Sequence, residues 1–218
     1  MNVETVALGA LTTRAVAVED AAREWVGRVA GIVTLASFVG SLSMSWRVWR
    51  ARNSMGVAFS PLAAAIICLH AWLLYGRAAG DPNVVWVNAC GLILMLVNAL
   101  VHRLYSRDNG PGLALLTTLA ALQLVSPVLT VVWLGNVAFV CTLACNAAPI
   151  ARIRTVPLPE IAAWTLCACG LWTAYGVLAR DMPLFASNLI GAVFAAVELT
   201  VAMWRRCRRD VDLLALMV

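Results

Sequence analysis

The stretch "LHAWLLYGRAAGDPNVVWVNACG" runs from Leu69 to Gly91, and "CGLWTAYGVLARDMPLFASNLIG" runs from Cys169 to Gly191. Slid by 100 residues, the two agree at seven of the twenty positions from Trp72 onward. Trp72, Tyr75, Gly76, Ala79, Asp81, Asn88 and Gly91 recur as Trp172, Tyr175, Gly176, Ala179, Asp181, Asn188 and Gly191. Unrelated segments would share about one or two positions, so the chain carries an internal duplication. Each copy sets an asparagine inside an apolar run, and the rest of the chain says what solvent that run meets.

With 62% hydrophobic residues, 12% charged residues and a mean hydropathy of +0.87, the composition is that of a polytopic membrane protein and excludes an ordinary soluble domain. Runs with few or no charges cover 29–46, 53–76, 82–102, 109–151, 161–179 and 182–204, the last interrupted by Glu198. As a single helix, the run 109–151 would extend roughly 65 Å, about twice a hydrocarbon core, so it must fold back. Trp133-Leu134-Gly135-Asn136 is the expected turn, which makes seven spans.

All sixteen basic residues are arginines. Arg47, Arg50 and Arg52, then Arg103 and Arg107, then Arg152 and Arg154, then Arg205, Arg206, Arg208 and Arg209 follow alternate spans and so share one side, expected to be cytoplasmic. The amino terminus is then outside and the carboxyl terminus inside. The net charge of +5 is mostly this topological signal and calls for no nucleic acid. Residues 1–26, with an early Glu4 and no uninterrupted apolar stretch, read as an extracytoplasmic extension and not as a signal peptide. The seven cysteines form no metal-type pair, so neither zinc nor a disulfide framework is expected, and no cofactor is implied.

A three-span unit fused directly to its copy would leave the copy inverted, and one extra span restores the orientation. The expected fold is therefore an all-α membrane protein of seven transmembrane helices in a 3+1+3 arrangement, two parallel three-helix repeats joined by an inversion-linker helix. The repeats are 27–106 and 133–205, with 107–132 as linker and 206–218 as cytoplasmic tail. The tail pairs a basic cluster, suited to phospholipid, with an Asp-x-x-Leu-Leu pattern from Asp210 that resembles a sorting signal.

Trp72 lies five residues before the turn that starts at Arg77, and Asn88 six after Pro82. Both should therefore sit roughly 8–10 Å below that turn, and Trp172 and Asn188 repeat the depth. An amide offers donors and acceptors without a charge that would trap a hydroxylated solute, and indole faces suit the C–H faces of a pyranose. Hydrogen bonding to a neighbouring helix is the alternative for the asparagines, and core packing for the tryptophans. Glu198, seven residues before Arg205, is expected to snorkel toward the inner end, and His70 to point away from the Trp72 face.

The chain resembles the SWEET family of sugar transporters over nearly all of residues 27–209. The resemblance rests on "RARNSMGVAFSPL", "WLLYG" and "VVWVNACG" in the first half, and on "ACNAAPIARIRT", "LWTAYGVLARD" and "FASNLIG" in the second. It implies a bidirectional, uncoupled carrier of mono- or disaccharides, in contact with membrane lipid and able to form a homo-oligomer. The implied sugar contacts are Asn88, Asn188, Trp72 and Trp172, with Cys68 and Ala168 one turn before the tryptophans and Cys141 and Ala144 on helix 5. Tyr75 and Asp181 correspond to the family's outer gate, with Tyr175 and Asp81 as symmetry mates. Pro61, Pro149 and Pro159 (or Pro157) correspond to its inner hinges, whereas helix 1 has no proline. A proton-coupled carrier and a seven-helix receptor are the alternatives; the repeat argues against a receptor, and no HExxH or GxSxG motif points to an enzyme.

Overall fold

The structure, a computed structural model, describes residues 3–106, 110–151 and 159–216, with side chains for 14–106, 112–147 and 159–208. Seven helices account for nearly all of it: α1 (Val3–Ala51), α2 (Phe59–Ala79), α3 (Pro82–Leu104), α4 (Gly110–Val125), α5 (Val131–Ala151), α6 (Pro159–Leu178) and α7 (Met182–Leu216). Among the described residues, α1, α2, α3, α6 and α7 are long and apolar enough to cross a membrane, and α4 and α5 contribute shorter apolar stretches, 112–128 and 131–147. Aliphatic side chains face outward along them, as at Ile93, Val97 and Leu100 of α3, which only an apolar surrounding leaves uncosted.

Within each repeat the third helix stands between the other two: α3 packs on α1 and α2, and α7 on α5 and α6. The repeats meet through α2 against α5 and α1 against α6, while α4 packs mainly on α2. This closes a 3+1+3 bundle with α4 outside it. The α2–α3 and α6–α7 turns lie together at one end, here the turn end. The α1–α2 loop marks the other, arginine-rich end.

Local chemistry explains the turns. Asp81 caps α3, its Oδ1 accepting from the amides of Asn83 and Val84 at 2.9 and 3.1 Å, and Pro82 follows at a position that needs no donor. Gly80 takes the left-handed conformation (φ 69°) that ends α2. Asp181 caps α7 in the same way, accepting from the Leu184 amide at 2.9 Å. Its preceding residue is Arg180, held at φ 54°.

One expectation changes here. The fold-back between α4 and α5 is not at Trp133–Asn136 but at Ser126–Val128, a single 3-10 turn followed by extended Leu129. Pro127 lacks the amide a continuing helix requires, so the helix breaks there, and Gly135 stands inside α5. Residues 3–51 also form one continuous helix, so the first span runs unbroken into the amino-terminal extension.

Candidate functional site

At the turn end, two tyrosines cross from one repeat to the other. The Tyr75 hydroxyl donates to Asp181 Oδ2 at 2.7 Å, and the Tyr175 hydroxyl donates to Asp81 Oδ2 at 2.6 Å. Each aspartate thus uses one oxygen to cap its own helix and the other to bind the opposite repeat. Both tyrosines are buried, at 5% and 2% exposure, so the closure is packed and not merely solvated. The structure thus brings together both pairs named from the sequence, Tyr75 with Asp181 and their symmetry mates Tyr175 with Asp81. The first helix of each repeat yields space for these rings. A Cβ on Gly27 would come within 2.6 Å of the Tyr175 ring, and one on Gly135 within 3.0 Å of the Tyr75 ring.

One turn deeper lie the tryptophans, each edge-on to its tyrosine: Trp72 to Tyr75 at 5.4 Å and Trp172 to Tyr175 at 5.5 Å between ring centres, with interplanar angles of 84° and 85°. The Trp72 indole N–H donates to Thr142 Oγ1 at 2.7 Å, and the Trp172 indole N–H donates to Thr34 Oγ1 at 2.9 Å. Each threonine passes its own hydrogen to the carbonyl four residues back, Ala138 at 2.9 Å and Ala30 at 2.8 Å, which leaves the oxygen free to accept. A buried indole N–H without such an acceptor would be costly, so each threonine fixes a ring that packing alone would leave to rotate. Both tryptophans therefore bridge the repeats, and they also belong to the shared core with Leu74, Val84, Val87 and Leu184.

Asn88 and Asn188 are half-buried and behave alike. Each donates to its own helix, Asn88 to the Val84 carbonyl and Asn188 to the Leu184 carbonyl, both at 2.8 Å. Neither bonds to another helix among the described residues, so the bridging role open to a membrane amide is not the one adopted. Their amide oxygens and second N–H groups are left for another partner, apart from a 3.5 Å approach of Asn188 to Ser187.

The remaining sequence-predicted residues divide. Cys68 approaches Thr142 Oγ1 at 3.5 Å and Cys141 packs against the core, so both belong to this cluster. Ala168 is half-buried. Ala144 is exposed, two residues beyond Thr142 and therefore about 200° around the helix from it, and it does not join the Trp72 contact. Pro61 stands in the first turn of α2 and Pro159 opens α6, where a missing amide costs no helical bond. Bending there would occur at a helix start and not in mid-helix. Pro149 lies near the end of α5, but its side chain, like Pro157 and the tail side chains from 209, is outside the described residues.

Thr34 and Thr142 were not singled out from the sequence, although a signal exists. "GRVAGIVTLA" (27–36) and "GNVAFVCTLA" (135–144) agree at six of ten positions when slid by 108 residues and not by 100.

The arrangement defines a class: a seven-helix integral membrane protein whose two parallel repeats are joined at one end by paired tyrosine–aspartate bonds. A sequence model of the family described as "Sugar efflux transporter for intercellular exchange" matches residues 24–110. The chain is 22% identical over 204 residues to the bidirectional sugar transporter SWEET15 of Oryza sativa subsp. indica, an alignment that covers 84% of this chain and 64% of that protein. It therefore spans just under two thirds of that relative. It is 26% identical over 186 residues to the sugar transporter SWEET1 of Mus musculus, covering 77% of this chain and 84% of that one. The 3.7 Å structure of a eukaryotic SWEET transporter superposes with a TM-score of 0.78 at 19% identity, over 86% of this chain and 98% of that one. In sequence and in fold the chain is thus similar to SWEET sugar transporters.

Proposed function

We propose that the chain is a bidirectional, uncoupled facilitator of sugars across a membrane, working by alternating access. The observation that carries this reading is the paired construction of the turn end. Two tyrosine–aspartate bonds hold the repeats together above two tryptophans and two asparagines whose amide oxygens have no partner among the described residues. A neutral, hydroxylated solute matches unspent amides and indole faces, and repeats that meet through separable hydrogen bonds can rock about a site between them. The structure then corresponds to a state closed at the turn end, which the arginine distribution assigns to the outside. Its relatives' names give the substrate class, a sugar.

The test is uptake of radiolabelled glucose and sucrose into proteoliposomes with and without a pH gradient. Equilibrative uptake indifferent to the gradient is expected, with loss of about tenfold or more in Asn88→Ala and in Asn188→Ala, since each removes a binding amide worth roughly 1.4 kcal/mol or more. Accumulation driven by the gradient would replace facilitation with proton coupling. Normal uptake by both asparagine variants would remove the amides from the site.

A further inference from the structure

One stripe of α1 carries three hydroxyls. Ser41 and Ser45 follow Thr34 by seven and eleven residues, so both lie within about 20° of it around the helix and roughly 10 and 16 Å nearer the arginine-rich end. Thr34 accepts the indole N–H of Trp172 from the other repeat at 2.9 Å. The two serines turn instead to α3, where they hold the side chain of Asn98, which is 1% exposed.

The bonding pattern fixes the orientation of that amide. Ser41 spends its own hydrogen on the Phe38 carbonyl at 2.6 Å, so its oxygen can only accept, and it receives Asn98 Nδ2 at 2.7 Å. Ser45, 7% exposed, donates to Asn98 Oδ1, and Nδ2 also lies 3.9 Å from the Met95 sulfur. The second repeat cannot copy this clamp. Slid by 108 residues, Ser41 and Ser45 fall on Pro149 and Ile153, and slid by 100, Asn98 falls on Glu198. A proline and an isoleucine have no hydroxyl to offer; Ile153 and the Pro149 side chain lie outside the described residues. Thr142, which seats Trp72, therefore stands on a helix without this tie.

Apolar contacts along a helix are non-directional, whereas hydrogen bonds to two residues one turn apart fix its rotation. The Thr34 hydroxyl stands roughly 5 Å from the α1 axis, so a rotation of about 10° displaces it by roughly 1 Å. That is enough to carry a 2.9 Å hydrogen bond beyond bonding range. We propose that Asn98 is a positioning residue of the sugar site: by holding Ser41 and Ser45 it sets the rotation of α1, and so places the Thr34 hydroxyl that seats Trp172. Its part in transport rests on the reading of the tryptophans as that site; its part in seating Trp172 does not.

The experiment labels the full chain with fluorotryptophan and follows fluorine NMR in lipid nanodiscs, with two of the nine tryptophan lines assigned by Trp72→Phe and Trp172→Phe. Asn98→Leu, which keeps the volume and removes the amide, should shift or split the Trp172 line and leave the Trp72 line in place. Ser41→Ala, which removes one of the two bonds, should give the same pattern more weakly and stands in should Asn98→Leu not fold. A shift of the Trp72 line as large as that of Trp172 would make Asn98 a general packing residue, and an unmoved Trp172 line would leave α1 fixed by its apolar contacts; either overturns the proposal. Uptake of radiolabelled glucose and sucrose into proteoliposomes then reads the consequence. Asn98→Leu should raise the half-saturating concentration of the transported sugar about fivefold, add nothing further in a Thr34→Ala background and multiply with Thr142→Ala. Equal effects in the two backgrounds overturn the route through Thr34. A wild-type chain that takes up neither sugar refutes the sugar reading and not the clamp, which the fluorine lines decide by themselves.

Discussion

Gly76 and Gly176 occupy the same place in the two repeats, one turn before the capping aspartate, yet their neighbours differ. A Cβ on Gly76 would meet the Val84 side chain at 2.9 Å, with the Val85 amide nitrogen at 3.2 Å. On Gly176 it would meet the backbone of Phe185, nitrogen at 2.6 Å and Cα at 2.8 Å. A side chain can change rotamer, whereas a helical backbone must translate, so the α6–α7 hairpin is the tighter of two hairpins built to one plan. The repeats conserve their contacts to each other more closely than their internal packing.

The largest effect that tests this contrast is steric. Gly176→Ala should destabilise the protein by about 3 kcal/mol and Gly76→Ala by about 1 kcal/mol, the upper and lower ends of what an added methyl costs in a packed interior. Thermal unfolding in detergent reads the difference. Equal shifts in the midpoint would mean that the two hairpins relax alike and that the contrast is not real.

A smaller effect separates the two tyrosine–aspartate bonds. Tyr75 has one described partner, Asp181, while the Tyr175 hydroxyl also accepts from Asn83 Nδ2 at 3.4 Å; the residue equivalent to Asn83 is Pro183, which has nothing to donate. Tyr175→Phe should therefore cost about 2 kcal/mol and Tyr75→Phe somewhat less, in the range of hydrogen bonds to a charged acceptor. The same order should hold for the loss of closure, measured as faster hydrogen exchange at the first amides of α3 and α7. A larger loss in Tyr75→Phe would reverse the assignment of the stronger pair.

How much of this could be read from the chain depends on where the repeat keeps its register. Trp72, Tyr75, Asp81 and Asn88 stand at one offset from their copies, so the four-residue constellation and the 3+1+3 fold were visible in the letters alone. The first helices break that offset. From Thr34 to the end of α1 there are seventeen residues, but from Thr142 to the end of α5 only nine, so α5 is two turns shorter on the arginine-rich side and its copy is displaced by eight positions. The threonines that seat the tryptophans were hidden by this shift. Gly135 was misread for a related reason: a glycine in an apolar run signals a turn or a close approach, and only the Tyr75 ring lying against it decides between them. Ser126-Pro127 was the real turn signal.

The same limit applies deeper in the bundle. Asn98 and Glu198 are equivalent by the offset of 100, and sequence alone marks the acid as the notable one. In the structure the amide is the more deeply bound. Asn98 is 1% exposed and joins α3 to α1, donating to Ser41 Oγ at 2.7 Å and accepting from Ser45. Its partners lie more than fifty residues away, and no spacing rule would have paired them.

The smallest contrast concerns one backbone conformation. The residue before each capping aspartate must adopt the left-handed region, and the first repeat uses Gly80 at φ 69° where the second uses Arg180 at φ 54°. A side chain there costs about 1 kcal/mol, which Arg180→Gly relieves, less the additional freedom glycine gains in the unfolded chain. Against this stands the Arg180–Glu19 pair at 3.8 Å, which ties the amino-terminal extension of α1 to the second repeat, with the two side chains 85% and 49% exposed. Pairs so open to solvent contribute about 0–1 kcal/mol and are screened by salt. Arg180→Gly should therefore be close to neutral at low salt and stabilising by about 0.5 kcal/mol at high salt, where the lost pair no longer counts. If the variant is destabilised at every salt concentration, Arg180 is retained because it anchors the extension beside the α6–α7 turn, and the departure from glycine in the second repeat is a contact and not a tolerated strain.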